Sequence, residues 1–303
     1  MVGFTPYWNG LSDYAKGLLV TATGVLILTP DAVLLKLIQA DPWTVLFWRG
    51  LAFFLVIGLV SALRHGGALP SLIRAGAGLG LAIALCHGAG QLLFVFSINN
   101  TTAANTLVII AAAPLAAALL ARLLLGERTA KRTLIAGIVA LAAVALTVRG
   151  GLDAGSFMGD LAALGVMLVL AAMFVLLRKA GGRDMLPALA LAGLLTAGIA
   201  FVFAPTLAIA GTDRLFLPLL VVIVVPVSFM LIATGPRYLP APEVGLLMLL
   251  ETIIGPFWVW LALAETPSTA TLAGGAVIIS TLAVNAWLGL KEQRRLQARV
   301  AAA

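Results

Sequence analysis

Long apolar runs separated by short polar or glycine- and proline-containing stretches make up most of the 303-residue chain. A helix needs about 20 mostly apolar residues to cross about 30 Å of hydrocarbon, and ten runs reach that length. They lie near 14–38, 42–62, 73–98, 101–125, 130–149, 157–179, 186–209, 214–236, 241–263 and 268–289. The runs are continuous rather than alternating, which favours helices over the strands of a β-barrel. The pattern therefore predicts an all-α integral membrane protein with ten transmembrane helices.

Composition and charge favour the same class. Hydrophobic residues make up 62% of the chain and charged residues only 10%, too few to cover a soluble domain. Of the 19 Lys and Arg residues, only Lys36, Arg49, Arg149 and Arg214 fall on the predicted outer side. By the positive-inside rule we expect both termini in the cytoplasm of a bacterial inner (plasma) membrane, with residues 290–303 forming a basic tail. This distribution indicates that the basic residues behind the net charge of +7 contact the lipid bilayer and do not bind nucleic acid.

The two halves of the chain repeat one hydropathy pattern. A shift of 138 positions lays residues 126–146 on 264–284, after the fourth and the ninth predicted spans. The repeat divides the chain into 14–149 and 150–289, with five spans each. Because five is odd, the second half enters the bilayer from the opposite side. The sequence therefore predicts two inverted five-helix repeats around a central cavity, a duplication typical of alternating-access carriers.

A polar stripe in the third span marks one candidate site. In "LCHGAGQLLFVF", His87, Gln91 and Phe94 are spaced i, i+4 and i+7, so they share one helix face. Polar side chains at membrane depth are expected to face the bundle interior or water. Under the repeat shift Gln91 corresponds to Phe229, which should lie at the same depth. His87 either lines a substrate cavity or makes a hydrogen bond between helices.

Glu251 lies inside the apolar stretch "LLETIIGPFW" of the ninth span. A carboxylate at the centre of a membrane helix costs at least about 2.5 to 3.5 kcal/mol. With no Lys or Arg assigned to its depth, a neutral acid that donates a hydrogen bond is favoured. Its counterpart under the repeat shift is Ala113, so Glu251 breaks the symmetry, as a site for an asymmetric substrate or a proton would. The alternative role is a hydrogen bond to a neighbouring helix.

Bulky side chains at similar depth are candidates for the rest of a substrate pocket. They are Phe94, Met167, Phe229, Met248 and Trp258, which suit aromatic or bulky apolar groups and are equally compatible with core packing. The absence of basic residues at this depth argues against phosphorylated sugars and nucleotide sugars.

Three prolines inside spans are candidates for kinks and gating: Pro114, Pro226 and Pro256. Pro226 frees a backbone carbonyl, and Ser228 beside it offers a hydroxyl to the site.

Other charged residues are expected to stabilise the fold. Glu127 and Glu265 stand at mirrored loop positions, where a carboxylate can cap the following helix. Asp31, after Pro30, is expected to pair with Lys36 or Arg49 or to reach the membrane interface.

In four short motifs the chain resembles the drug/metabolite transporter superfamily and its ten-span EamA-type members. The motifs are "AAAPLAAALLARLLLGER" followed by "TLIAGIVAL", and "LETIIGPFWVWLALAE" followed by "TLAGGAVII". The resemblance implies a basket of two inverted repeats, with a cavity lined mainly by spans 1, 3, 4, 6, 8 and 9. Within the superfamily the chain looks most like the YddG-type exporters, which implies export of aromatic amino acids. The family commonly has Pro directly after the Glu of the ninth span, where this chain has Thr252.

Two other classes fit the sequence less well than a carrier. A membrane enzyme acting on lipids needs clustered acidic residues for Mg²⁺ or a set of histidines, and this chain has only His65 and His87. A receptor without transport would need a partner surface on its loops, which are short. We therefore expect a monomeric carrier of a small-molecule substrate, without metal or cofactor. Facilitated diffusion and proton exchange both remain open as modes of energy coupling, and another drug-like or metabolite substrate remains the alternative to amino acids.

Overall fold

A computed structural model describes residues 11–101, 106, 109–148, 157–263 and 269–301 of the chain. Every regular element in these ranges is a helix. The α-helices are α1 (Asp13–Leu28), α2 (Asp31–Leu37), α3 (Pro42–His65), α4 (Leu69–Ala75), α5 (Ala77–Asn100), α6 (Ala113–Leu125), α7 (Lys131–Val148), α8 (Phe157–Ala180), α9 (Leu186–Phe203), α10 (Asp213–Pro218), α11 (Val225–Ile232), α12 (Ala241–Leu263) and α13 (Thr269–Ala301). Short 3₁₀ turns occupy Gly66–Ala68 and Gly235–Arg237, and a π-helical segment, Leu219–Val224, joins α10 to α11.

Within the described residues, seven helical segments are long and apolar enough to cross a membrane. They are 13–35, 42–71, 77–97, 157–180, 186–203, 213–237 and 273–292. These segments confirm a helical, multi-pass membrane protein. In chain order, the ten predicted spans correspond to α1 with α2, α3, α5, α6, α7, α8, α9, α10 with α11, α12 and α13. For α6, α7 and α12, the assignment as membrane spans stays a prediction.

Prolines set several helix ends that the hydropathy pattern missed. The first predicted span is divided, because α1 ends before Thr29 and α2 begins at Asp31, on either side of Pro30. The seventh was predicted to reach residue 209 and ends at Phe203, because Ala204 is extended in front of Pro205.

The eighth predicted span is also irregular. Pro218, which has no backbone N–H to donate, ends α10, and the π-helical segment follows it directly. Pro226 stands in the first turn of α11, where a missing N–H is tolerated. Single π-helical turns inside α-helices occur frequently at functional sites.

The closest helix crossing depends on two glycines. A Cβ added at Gly50 of α3 would lie 2.7 Å from the carbonyl oxygen of Gly193 in α9. A Cβ at Gly193 would lie 2.6 Å from the carbonyl oxygen of Gly50. The contact is reciprocal, and any larger side chain at either position would separate the helices. Small residues allow this backbone approach, which is how helices associate in a membrane.

Several helix pairs pack against one another around this crossing. The contacts join α3 with α9, α6 with α12, α7 with α13, α5 with α8, α1 with α11, α5 with α9, α3 with the π-helical segment and α11, α6 with α8, and α1 with α12. The larger apolar core fills the space between these helices, and it includes Phe53, Phe174 and Leu189.

A buried polar network joins α1, α7, α12 and α13. Glu243, only 2% exposed, accepts hydrogen bonds from the Tyr14 hydroxyl at 2.5 Å and the Thr133 hydroxyl at 3.2 Å. An ion pair at 3.0 Å joins Arg132 to Glu243, and Arg132 also donates to the backbone oxygen of Asn285 at 3.0 Å. A buried carboxylate is stable when it is paired and hydrogen-bonded in this way. The hydropathy pattern did not predict this network, because it places Arg132 with the other basic residues on the cytoplasmic side.

The glycine crossing can be tested with Gly193→Ala. The added Cβ would overlap the backbone of α3, so we expect the free energy of unfolding in detergent to fall by about 1 to 3 kcal/mol. Gly198→Ala is the matched control on the same helix, since a Cβ there meets nothing within 4 Å. That control should be neutral or slightly stabilising, because alanine favours the helix. Equal stability of the two variants would contradict the proposed packing.

Candidate functional site

A small cavity lies between α3, α5 and α9. Its volume is about 10 Å³, room for about one water molecule. The lining residues are Arg49, Gly50, Phe53, His87, Gln91, Gly193 and Thr196. This set combines one cation, polar side chains and an aromatic ring in the interior of the bundle. It therefore has the mixture of apolar walls and few polar groups that small-molecule sites use.

His87 is held between two phenylalanine rings from other helices. It stacks on Phe53 of α3, with ring centroids 5.1 Å apart, and meets Phe229 of α11 edge-on at 4.8 Å. Gln91, one turn along α5, places its amide nitrogen 3.4 Å from His87 Nε2. The structure thus places His87 next to both Gln91 and Phe229. Phe53, His87 and Phe229 form an aromatic cluster. The sequence did not point to Phe53, because it lies in an ordinary apolar run.

Arg49 and Asp31 form an ion pair next to this cluster. The guanidinium donates to both carboxylate oxygens, at 2.8 and 3.2 Å, in a two-pronged contact. The two side chains are only 12% and 11% exposed. Of the two partners expected for Asp31, the structure identifies Arg49; the side chain of Lys36 lies outside the described residues. The pair also reaches other site residues electrostatically, since both charges act on Glu251 and Arg49 acts on His87.

The position of Arg49 corrects the expectation that no cation lies near Glu251. Arg49 was assigned to the outer side, but it lies seven residues into α3, roughly 10 Å from the start of the helix. The argument against phosphorylated sugars and nucleotide sugars rested on the absence of basic residues at this depth, and Arg49 removes that premise. Asp41 caps α3 by accepting a hydrogen bond from the Trp43 N–H. The spacing of Arg49 from this cap was the sequence signal that Arg49 lies about two turns inside the helix and not at its end.

The other predicted pocket residues lie farther from the cavity lining. Trp258 donates from its indole nitrogen to the Thr29 hydroxyl at 2.8 Å, which ties α12 to the end of α1. Met248 is half-buried against the apolar core. Phe94 and Met167 are half-buried, and no contact in the described part of the chain places them on the cavity.

The three predicted kink prolines differ in their surroundings. Pro114 begins α6 and packs against α12, where a Cβ on Gly245 would lie 3.3 Å from its Cα. Pro226 begins α11 after the π-helical segment. The helix α12 continues through position 256, and the side chain of Pro256 lies outside the described residues.

Two polar residues have roles other than those expected. The buried Ser228 hydroxyl donates to the Val225 carbonyl oxygen at 2.8 Å, so it is used within its own helix and is not offered to the site. Glu127 accepts a hydrogen bond from Arg178 at 3.0 Å, which joins the end of α6 to α8. Its mirrored residue, Glu265, lies outside the described residues.

A second cavity, of about 30 Å³, lies near the loop ends of α3 and α9. Its lining includes Arg64, Arg183, Arg237 and Asp184. These are loop-end residues whose basic charge the positive-inside rule already explains. The smaller cavity is the better candidate because its lining includes Arg49 of the buried ion pair and Phe53 and His87 of the aromatic cluster.

Comparison with known proteins agrees with this architecture. Residues 15–149 match the model of the EamA-like transporter family. A solved crystal structure that is 18% identical superposes with a TM-score of 0.78, covering 90% of this chain and 98% of that chain. At this identity the likeness shows the fold alone. No curated protein matches the chain.

The apolar helices are those of a multi-pass membrane protein, and the family match over residues 15–149 points to a membrane transporter of small molecules rather than an enzyme. The match over residues 15–149 supports a place within the drug/metabolite transporter superfamily.

The importance of the buried ion pair can be tested with Asp31→Asn. This change leaves the Arg49 guanidinium buried without a counter-charge, so we expect a loss of about 3 kcal/mol in the free energy of unfolding in detergent. Asp13→Asn is the control, because its Lys16 pair is solvent-exposed, with Asp13 76% exposed, and such pairs contribute little. If both variants unfold at the same denaturant concentration, the Asp31–Arg49 pair does not stabilise the bundle.

Proposed function

We propose that the protein is an alternating-access exporter of small organic metabolites. Amino acids with aromatic or bulky apolar side chains are its preferred substrates. It works in a bacterial inner (plasma) membrane with both termini in the cytoplasm. The observation that carries the proposal is the cavity at the helix crossing, which is lined by the stacked rings of Phe53 and His87 and by Arg49, whose charge is paired with Asp31.

The pattern of helix contacts supports two equivalent five-span halves. A twofold relation between the halves makes span 1 equivalent to span 6, span 2 to span 7, and so on to spans 5 and 10. The contact between spans 3 and 6 then corresponds to the contact between spans 8 and 1. In the same way, the contact of spans 3 and 7 corresponds to that of 8 and 2, and the contact of spans 4 and 6 to that of 9 and 1. The contacts of span 2 with 7, span 4 with 9 and span 5 with 10 are each their own equivalent under this relation. All of these contacts are present among the described helices. A twofold relation between halves produces such paired contacts, although the contacts of span 6 with 9, 5 with 9 and 1 with 10 lack a counterpart of similar extent among the described helices.

The glycine contact joins spans 2 and 7, a helix pair that this twofold relation maps onto itself. Gly50 and Gly193 are not equivalent under the shift of 138 positions, so the contact supports the pairing of the two helices and not a residue-by-residue twofold. The bounds of the family match, 15–149, also lie close to those of the first proposed repeat, 14–149.

Contacts between the proposed halves close the bundle at both ends. At one end, Tyr14 and Arg132 of the first half bind Glu243 of the second. At the other end, the Thr44 hydroxyl donates to the Thr206 carbonyl oxygen at 2.6 Å, and Trp48 donates to the Leu207 carbonyl oxygen at 3.1 Å. A substrate would require one set of these contacts to break at a time, which is the requirement for alternating access.

The chemistry of the cavity supports an aromatic or bulky apolar substrate. Phe53, His87 and Phe229 come from three helices and form a wall of rings, against which another ring can stack or pack edge-on. Gln91 adds both a donor and an acceptor beside this wall.

The inverted topology can be tested by cysteine labelling. Cys86 is the only cysteine, so single cysteines are introduced in a Cys86→Ala background. Positions in 65–70 and at the C-terminus should react only from the cytoplasmic side, whereas positions in 151–155 should react from outside. Labelling of 151–155 from the cytoplasm would contradict the ten-span arrangement.

Transport can be tested by counterflow of radiolabelled L-phenylalanine in proteoliposomes. The wild-type protein should accumulate label, and His87→Leu should reduce the rate about tenfold, since removing the ring and its hydrogen bond weakens binding by about 1.4 kcal/mol. His65→Leu is the control, because His65 pairs with Asp184 at the loop ends, away from the cavity. No accumulation of phenylalanine or other bulky amino acids by the wild type, or equal losses in both variants, would contradict the proposal.

A further inference from the structure

Two buried polar groups in the cavity have no partner among the described residues. They are the hydroxyl of Thr196 and the Nε–H of Arg49. Thr196 is only 2% exposed, and both residues line the same cavity from neighbouring helices, α3 and α9. The atoms are therefore placed where a ligand could meet both.

Both groups can donate a hydrogen bond to the same acceptor. Arginine has donors only, and a hydroxyl can donate or accept. Asp31 accepts from both terminal nitrogens of the guanidinium, so Nε is the nitrogen whose N–H has no partner among the described residues. Leaving a buried donor unsatisfied is unfavourable, and such groups in native structures call for an explanation.

We propose that Arg49 and Thr196 form a subsite for the carboxylate group of the substrate. This inference rests on the proposed transport function and narrows its substrate class. A carboxylate has two oxygens and can accept from Nε and from the hydroxyl together, without displacing Asp31. The aromatic cluster at Phe53 and His87 adjoins the subsite, so a carboxylate and a ring on one small molecule would both be bound.

The charge of the site favours a zwitterion over a multiply charged anion. Asp31 already balances Arg49, so a bound carboxylate adds one net negative charge. The ammonium group of an amino acid would cancel that charge, with Asp31 and Glu251 as the neighbouring acidic groups. A phosphate dianion would leave two charges uncompensated in the interior, which is strongly unfavourable. The Asp31–Arg49 pair therefore argues against phosphorylated substrates through charge balance, whereas the argument from the sequence rested on the absence of basic residues.

The cavity has room for about one water-sized group in this conformation. A whole substrate enters only when the helices around it separate, as the proposed mechanism requires. A single water that satisfies both donors is the competing explanation, and it predicts no preference for carboxylates.

The test is Thr196→Val, which keeps the shape of the side chain and removes the hydroxyl. This variant should fold normally, because it removes an unpaired polar group from a buried position. Thr281→Val is the control, since the Thr281 hydroxyl is exposed and donates to its own helix at 2.7 Å. Binding to detergent-solubilised protein is measured by titration with L-phenylalanine, 3-phenylpropanoate and L-phenylalaninamide, which lacks the carboxylate.

We expect wild-type protein to bind L-phenylalanine at least about tenfold more tightly than the amide. Thr196→Val should weaken binding of both carboxylate compounds about five- to tenfold and leave the amide unchanged. The double variant Asp31→Asn with Arg49→Gln, which removes both charges together, should bind phenylalanine and its amide equally.

Two results overturn the subsite. One is no binding of either carboxylate compound to the wild type, and the other is an equal effect of Thr196→Val on all three compounds, as a water-filled or purely structural site predicts. Binding of phenylalanine with the expected preference, but without counterflow in proteoliposomes, would support the subsite and contradict the transport function. The two proposals therefore fail separately.

Discussion

The ion pair between Asp31 and Arg49 is the interaction on which the interior of the bundle depends. Neither charge is stable alone in an apolar interior, and their two-pronged contact at 2.8 and 3.2 Å compensates both. The pair also fixes geometry. Asp31 begins α2 just after the Pro30 break, and Arg49 lies one residue before Gly50, so the pair connects the broken first span to the closest helix crossing. It orients the guanidinium so that Nε points away from Asp31. This orientation leaves the Nε–H of Arg49, a residue that lines the cavity, without a partner among the described residues.

The glycine crossing gives the bundle a centre, while the polar contacts at its two ends can rearrange. Gly50 and Gly193 bring two backbones together with no side chain between them, so there is little to reorganise if the helices rotate about this point. The ends differ in strength. The Tyr14–Arg132–Glu243 network contains an ion pair with several hydrogen bonds, whereas Thr44 and Trp48 bind only backbone carbonyls. Charge-assisted contacts are about twice as strong as neutral ones, so the end with Thr44 and Trp48 should open more easily from this conformation.

Sequence patterns predicted the helices and part of the site, and the physical reasons for the misses are specific. Apolar runs located the helices because crossing hydrocarbon demands length and composition. The His87 stripe was visible because helical spacing puts polar residues on one face. Arg49 was misassigned because hydropathy cannot distinguish a cation at an interface from one paired inside a bundle. The Glu243 network depends on residues more than a hundred positions apart, such as Tyr14 and Glu243, and Ser228 was misjudged because its local bond to Val225 competes with any ligand.

Charge balance constrains the role of Glu251. Asp31 and Glu251 are two acidic groups near one guanidinium, and a single Arg cannot neutralise both. A zwitterionic amino acid carries no net charge, because its ammonium group offsets its own carboxylate. If the carboxylate subsite is correct, binding of a zwitterion therefore leaves the charge balance of Asp31, Arg49 and Glu251 unchanged and does not require a proton to leave the site. A substrate with a net positive charge could replace a proton without leaving an unpaired charge in the apolar interior, whereas a zwitterion could not.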